Sequence, residues 1–295
     1  MHLCSKVSVD PNNNRETRTM SEHKTRSTAR LPGLAVGLAA LLALSTSLEA
    51  QDTDALNTVV AGDHRSATNQ ARDEYRNPVD TLTFFGIEPD HTVVEIFPGT
   101  GWYTEILAPY LRDEGKLIAA GYPRDPEVAS AFMIQLNGTF DAMLDARPDL
   151  YNRVEVAELH PRQRSVLAEP GTVDAILDFR NAHNWFNWGP AEMLGAWHEA
   201  LKPGGIVGIV DHRMDPARDA GNGYIHEKTL IDTMEEYGFR YVGSTEINAN
   251  ARDTEDHPGG VWNLPPNLRD VAEADRAKYL EIGESDRLTM LFRKN

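Results

Sequence analysis

The chain has 295 residues, 41% hydrophobic and 25% charged, which is globular composition with apolar mass for one domain of about 250 residues. A net charge of −16, with no Lys/Arg cluster after Arg30, argues against nucleic acid as a partner; the excess acid reads as a solvated face. The one cysteine, Cys4, precedes a segment expected to be removed, so the mature chain is expected to have no disulfide, thiol nucleophile or thiolate metal site.

Residues 1–30 are polar, with positive charge at Lys24, Arg26 and Arg30 and a candidate start at Met20. The 14-residue apolar run Leu31–Leu44 and the small residues up to Ala50 complete a secretory signal pattern, cut before Gln51. The run falls short of the ~20 residues that span a bilayer, so an uncleaved membrane anchor is the second reading. Residues 1–50 are therefore read as a leader, 51–65 as a polar linker and 66–295 as the folded domain. The expected location is the periplasm or the medium, with membrane contact only if the leader stays attached.

A helix is expected over Ala71–Phe85, broken or entered at Pro78, before a first strand Thr92–Ile96. Pro98-Gly99-Thr100-Gly101 turns the chain into a helix Trp102–Leu111, where Tyr103, Ile106, Leu107, Tyr110 and Leu111 keep helical spacing. Next come a strand Lys116–Ala120, a helix near Glu127–Leu144, and strands Val154–Val156 and Val173–Asp178. The helix Ala191–Leu201 stops at Lys202-Pro203-Gly204-Gly205, and the fifth strand is Ile206–Asp211. A helix His226–Tyr237, capped by Gly238, and strands near Tyr241–Ile247 and Arg287–Phe292 finish the chain. Such alternation predicts a doubly wound, mostly parallel seven-stranded α/β sheet. The polar connection from Asn248 to Asp286 is too long for a hairpin; with His257 and Trp262 it is either a lid or a surface loop.

Open α/β sheets bind ligands at the carboxyl ends of their strands. That rule selects Glu95–Tyr103, Gly121-Tyr122, Glu158, Asp178–Trp185 and Asp211–Arg213. The glycines of Val93-Val-Glu-Ile-Phe-Pro-Gly-Thr-Gly-Trp102 let backbone pass close under a ligand, and the following helix offers free N–H groups. Asp178, Arg180, Asn181, His183 and Trp185 form the densest polar-aromatic cluster, either a cleft-facing site or a hydrogen-bonded strand end. Asp211 and His212 allow the same two readings. Asp211, His212, His226 and Glu227 with His183 suit zinc or iron chemically, but no compact ligand spacing is present and no metal is assigned.

The glycine turn resembles motif I of the class I S-adenosylmethionine (SAM) methyltransferases, with Glu95 in the acidic place, Gly99 and Gly101 in the second and third glycine places, and Phe97 replacing the first. Ala200-Leu-Lys-Pro-Gly-Gly205 is similar to the segment ahead of strand five in that superfamily. Arg72-Asp-Glu-Tyr-Arg-Asn-Pro78, Asp178-Phe-Arg-Asn-Ala-His-Asn-Trp185 and Asp211-His-Arg213 resemble an exported bacterial group of predicted methyltransferases. The resemblance implies an antiparallel last strand, SAM as cofactor, and methyl transfer to a small-molecule acceptor that the sequence does not name. It places the cofactor on Glu95, Phe97, Gly99, Gly101, Tyr103, Tyr122, Glu158, Asp178, Arg180 and Asn181. Tyr122 would stack on the adenine, and Glu158 would read its amino group. His183 is the expected base, with Asp178 and Arg180 orienting the ligand and His212 a further catalytic candidate. Ala120-Gly121-Tyr122 lacks the carboxylate that usually holds the ribose. That gap leaves open a repurposed module binding a small ligand or metal, and disfavours an NAD-dependent oxidoreductase. N-terminal sequencing of exported protein is expected to begin at Gln51; a start upstream of Leu31 would overturn cleavage.

Overall fold

The computed structural model describes residues 53–295, so the expected leader lies outside the described residues. Among those residues, no helix is long and apolar enough to cross a membrane. The expected linker proves to be structured: residues 53–60 form helix α1, and Leu56 joins Leu82, Phe85 and Val93 in the core. The sequence Leu56, Val59, Val60 carries the apolar stripe that docks it.

The strands are β1 (Thr92–Ile96), β2 (Lys116–Gly121), β3 (Glu155–Glu158), β4 (Val173–Phe179), β5 (Leu201–His212), β6 (Phe239–Ser244) and β7 (Arg287–Lys294). They form one sheet in the order β3-β2-β1-β4-β5-β7-β6. β1 through β5 pair in parallel, whereas β7 runs antiparallel to both β5 and β6. This is the class I methyltransferase fold, as expected, with the switch in strand order between β1 and β4. Val93, Val94 and Ile96 in β1, with Ala175, Ile176 and Leu177 in β4, are buried on both faces, which is why these strands read as unbroken apolar runs.

Around the sheet lie α2 (Ala67–Gln70), α3 (Asp73–Arg76), α4 (Pro78–Phe85), α5 (Thr104–Tyr110), α6 (Ala131–Ala146), α7 (Pro148–Tyr151), α8 (Ala182–Trp188), α9 (Ala191–Ala200), α10 (Glu227–Glu236) and α11 (Arg276–Ile282). The single helix expected over Ala71–Phe85 is divided. Pro78 disfavours a helical residue before it, and Asn77 takes φ 37° between α3 and α4. Lys202-Pro203-Gly204-Gly205 is likewise not a connection ahead of the strand. Val173 pairs with Leu201 and Ala175 with Ile206, so these residues bulge out of β5 itself.

Gly208 lies at the middle of β5, where a Cβ would come within 2.6 Å of the Phe85 ring. Gly208→Ala is expected to cost about 1–3 kcal/mol through overpacking. Urea unfolding should show a lowered midpoint with an unchanged slope, and an unmoved midpoint would contradict this packing.

Candidate functional site

The turn leaving β1 supports the site. Phe97, Gly99 and Gly101 take φ values of 43°, 62° and 86°, left-handed backbone that glycine adopts without penalty. A Cβ on Gly101 would meet the terminal methyl of Met143, which would have to move aside. Phe97 holds a glycine's conformation at a cost of about 1–2 kcal/mol. Its ring compensates by stacking on Tyr122 at 4.1 Å and 11°, with Trp188 edge-on to both. Trp102 secures the other end of the turn. Its Nε1–H donates to Asn69 O at 3.0 Å, and the guanidiniums of Arg65 and Arg76 lie 5.0 and 4.7 Å from its ring centroid.

Above this turn lies a cavity of about 360 Å³. Of the residues expected to hold a cofactor, Glu95, Phe97, Gly99, Tyr103, Tyr122, Arg180 and Asn181 line it, together with His183. Glu95 is buried and accepts the Thr104 hydroxyl at 2.6 Å; burial pushes its carboxyl up to about 7 despite that bond. Tyr103 stacks on Phe179 at 3.4 Å and 7°.

Asp178 is placed differently from expectation. It is fully buried below the cavity rather than lining it, accepting Asn181 Nδ2–H at 2.9 Å and Trp185 Nε1–H at 2.8 Å. Asn181 also donates to Ile96 O at 3.1 Å, joining the exits of β1 and β4 at the switch point. Asp178 is therefore an anchor of α8, not a ligand contact. Burial, and after it the nearby Asp211 charge, raise its pKa to about 7 against the Trp185 and Asn181 bonds.

Asp211, at the end of β5, behaves in the opposite way. It accepts the His183 N–H at 3.0 Å, the His212 N–H at 2.7 Å and the His183 Nδ1–H at 2.9 Å. Burial alone would raise its pKa, but the His183 charge and hydrogen bond lower it to about 2. For His183, burial is outweighed by the Asp211 charge and bond, so its pKa is raised. Three cavities meet at His183: the one above the turn, one of about 160 Å³ and one of about 410 Å³. Trp262, from the long connection, lines all three and sits edge-on 6.4 Å from the His183 ring. The connection thus covers the cleft, while His257 is buried against Asp253.

His212 lies outside the main cavity and borders the 160 Å³ one, bonded to Ser285. Burial, with the charges of His183, Arg287 and Arg180, lowers its pKa well below the usual value, which keeps it neutral. Glu158 is also misplaced by the sequence reading: it is exposed on an edge strand and accepts the Arg124 N–H at 3.2 Å. Gly101 serves helix packing rather than the cavity lining. His183, Asp211 and His212 offer ligand atoms within 4.8 Å of one another, but the Asp211 oxygens are taken by three N–H donors. His226 and Glu227 bond elsewhere, to Arg218 and Arg213.

Arg72, Arg76 and Arg269, which line the main cavity, and Glu284, which binds the first two, carry no site signal in the sequence. The Arg72–Pro78 stretch was singled out, but no local signal ties it to a carboxylate more than 200 residues away.

No family model matches the sequence, and no curated protein does. Among solved structures, the chain is similar to a SAM-dependent methyltransferase from Aquifex aeolicus, with 18% identity and a TM-score of 0.52 over 76% of this chain and 93% of that one. It is also similar to geranyl diphosphate methyltransferase in complex with SAM, at 12% identity and TM-score 0.50 over 81% and 95%. The cyclase SpnF aligns as well, at 15% identity and TM-score 0.53 over 84% and 94%. These likenesses establish the class I methyltransferase fold. At such identities they do not establish a reaction, and one of the three is a cyclase.

The two raised carboxyls set a pH dependence. The folded-state pKa of Asp178 is about 7 against 3.8, so its contribution is complete below 3.8 and is lost as pH rises through about 7. Glu95 acts in the same sense, from 4.5 to about 7. Asp211 acts oppositely and only in acid, between 3.8 and about 2. The Tm is expected to fall from pH 5 to pH 8, and Asp178→Asn, though less stable overall, should flatten that slope. An unchanged slope would refute the assignment.

Proposed function

We propose that the protein is an exported SAM-dependent methyltransferase acting on a small molecule, with His183 as general base and Asp211 as the group that orients it. The observation that carries this reading is the cavity above the glycine turn, which runs from Glu95 and Gly99 to His183 on a methyltransferase fold.

The cavity is of ligand-binding size. Glu95, Gly99, Tyr103 and Asn181 would hold the cofactor along the turn, and the Phe97 and Tyr122 rings would border its base. The fit departs at the ribose. β2 ends at Gly121 without a carboxylate, and the Asn137 side chain beside it is bonded to the Tyr122 N–H at 3.2 Å and the Tyr122 carbonyl at 2.9 Å. When bound, SAM supplies an activated methyl group, so the chain's task is mainly alignment, an effect of about 7–11 kcal/mol at most.

His183 is suited to take a proton from an acceptor. Its Nδ1–H is fixed on Asp211, which leaves Nε2 as the basic nitrogen, and the neighbouring carboxylate strengthens it. Trp262 stands edge-on to the same ring and lines the cavity beside it.

A second reading is favoured by one contact. The face-to-face rings of Phe97 and Tyr122 stand at the exits of β1 and β2, where an adenosyl group would lie, and would fit a fold turned to another small ligand. Calorimetry of the full chain with S-adenosylhomocysteine separates the two. Binding is expected, with about 2.7 kcal/mol of stabilisation at 100 times Kd. Binding by Phe97→Gly alone would mean that the rings fill the adenosyl place, and silence from both would reject SAM chemistry. In a proton NMR titration, His183 should titrate above the free imidazole value, and Asp211→Asn should bring it down; an unaltered value would remove the orienting role.

A further inference from the structure

The roof of the main cavity holds more positive charge than the protein neutralises. Glu284 accepts Arg72 Nε–H at 2.6 Å and Arg76 Nε–H at 3.1 Å, and it also binds Arg287. Three arginines thus share one carboxylate, and Arg180 lines the same cavity near enough for the charges of Arg287 and Arg72 to act on it. Among the described residues, the Arg180 side chain makes no hydrogen bond or salt bridge of its own. Arg72 and Arg76 each keep a buried Nη2 without a partner. Glu95, on the lining of the same cavity, is committed to Thr104, and Asp211 to His183. An uncompensated buried charge is among the most costly features a fold can retain. Burial first, then Arg180, lowers the Arg76 pKa, and burial followed by Arg287 lowers that of Arg180 to about 10.

Of these four, Arg72, Arg76 and Arg180 line the cavity, and Arg180 also borders the smaller one beside His183 and His212. We infer that these three guanidiniums hold an oxyanion, carboxylate or phosphate, carried by the methyl acceptor. The inference rests on the methyl-transfer reading for calling that molecule the acceptor; the anion site itself does not depend on it. A sulfonium donor is a cation, so the cage complements the other reactant. It seats the acidic end of that molecule under α3 and leaves the remainder toward His183. Planar guanidinium forks match both kinds of oxyanion, and a low-dielectric cavity strengthens the attraction. The same field disfavours a metal cation at His183, Asp211 and His212.

The test is calorimetry on the full chain with inorganic phosphate and with succinate, each with and without saturating S-adenosylhomocysteine. At least one anion should bind with one-to-one stoichiometry, unaffected by the adenosyl compound; phosphate alone or succinate alone would identify the oxyanion. Arg180→Gln should weaken binding at least tenfold and, by relieving repulsion, raise the Tm of the protein in anion-free buffer. A merely structural arginine would lower it. Should Arg180→Gln not fold, Arg72→Gln, at a partly exposed position, is expected to weaken binding to a similar degree. No anion binding, or wild-type affinity in these variants, would overturn the inference. Competition with S-adenosylhomocysteine would overturn it too, by assigning the cage to the donor's carboxylate. Anion binding that Arg180→Gln abolishes, in a protein that ignores S-adenosylhomocysteine, would uphold the site and defeat methyl transfer.

Discussion

Glu284 is the fixed point of the upper half of the molecule. It lies just ahead of β7, buried, and draws in Arg287 from that strand and Arg72 and Arg76 from the far end of the chain. Burial would favour its neutral form, yet the surrounding arginines, Arg287 foremost, hold it far below the usual carboxylate range. Removing that carboxylate would typically cost about 3–5 kcal/mol, because its arginines would be left uncompensated. From Arg76 the constraint passes to the Trp102 ring, and from Trp102 into the glycine turn. The roof and the floor of the cavity therefore depend on one carboxylate that belongs to neither.

Two aspartates at neighbouring strand exits show how environment assigns roles. Asp178 receives two neutral donors, lies near a second negative charge and is pushed toward its neutral form. Asp211 receives two backbone N–H groups and an imidazole that can carry charge, and it stays ionised. The ionised one positions His183, and the other anchors the helix on which His183 sits.

Much of the sheet was legible in the chain. β1 and β4 announce themselves as continuous apolar runs because both faces are covered, and the glycine turn marks the exit of β1. The rest was hidden for definite reasons. Helix α8 is short and, after Ala182, made of Asn, His, Trp and Phe, poor helix formers, and its first turn is satisfied by Asp211 from another strand. Glu158 was expected in the crevice, but β3 is an edge strand and its register carries that side chain to the surface. Phe97 and Tyr122 lie 25 positions apart, and only the fold brings their rings together. The arginine cage has no linear signature, since its counter-charge enters from the last connection of the chain.

The protein as a whole and the arginine-lined part of its main cavity are charged oppositely, which gives ionic strength two separate jobs. A molecule of net charge −16 repels an acidic visitor at distances up to the screening length, about 10 Å at 0.1 M salt, so added salt should quicken encounter. Once inside, the visitor faces guanidiniums sheltered from counterions, and salt reaches them only weakly. Arrival rate and residence time would then answer to different variables, and brackish conditions would favour capture without much loosening of the grip.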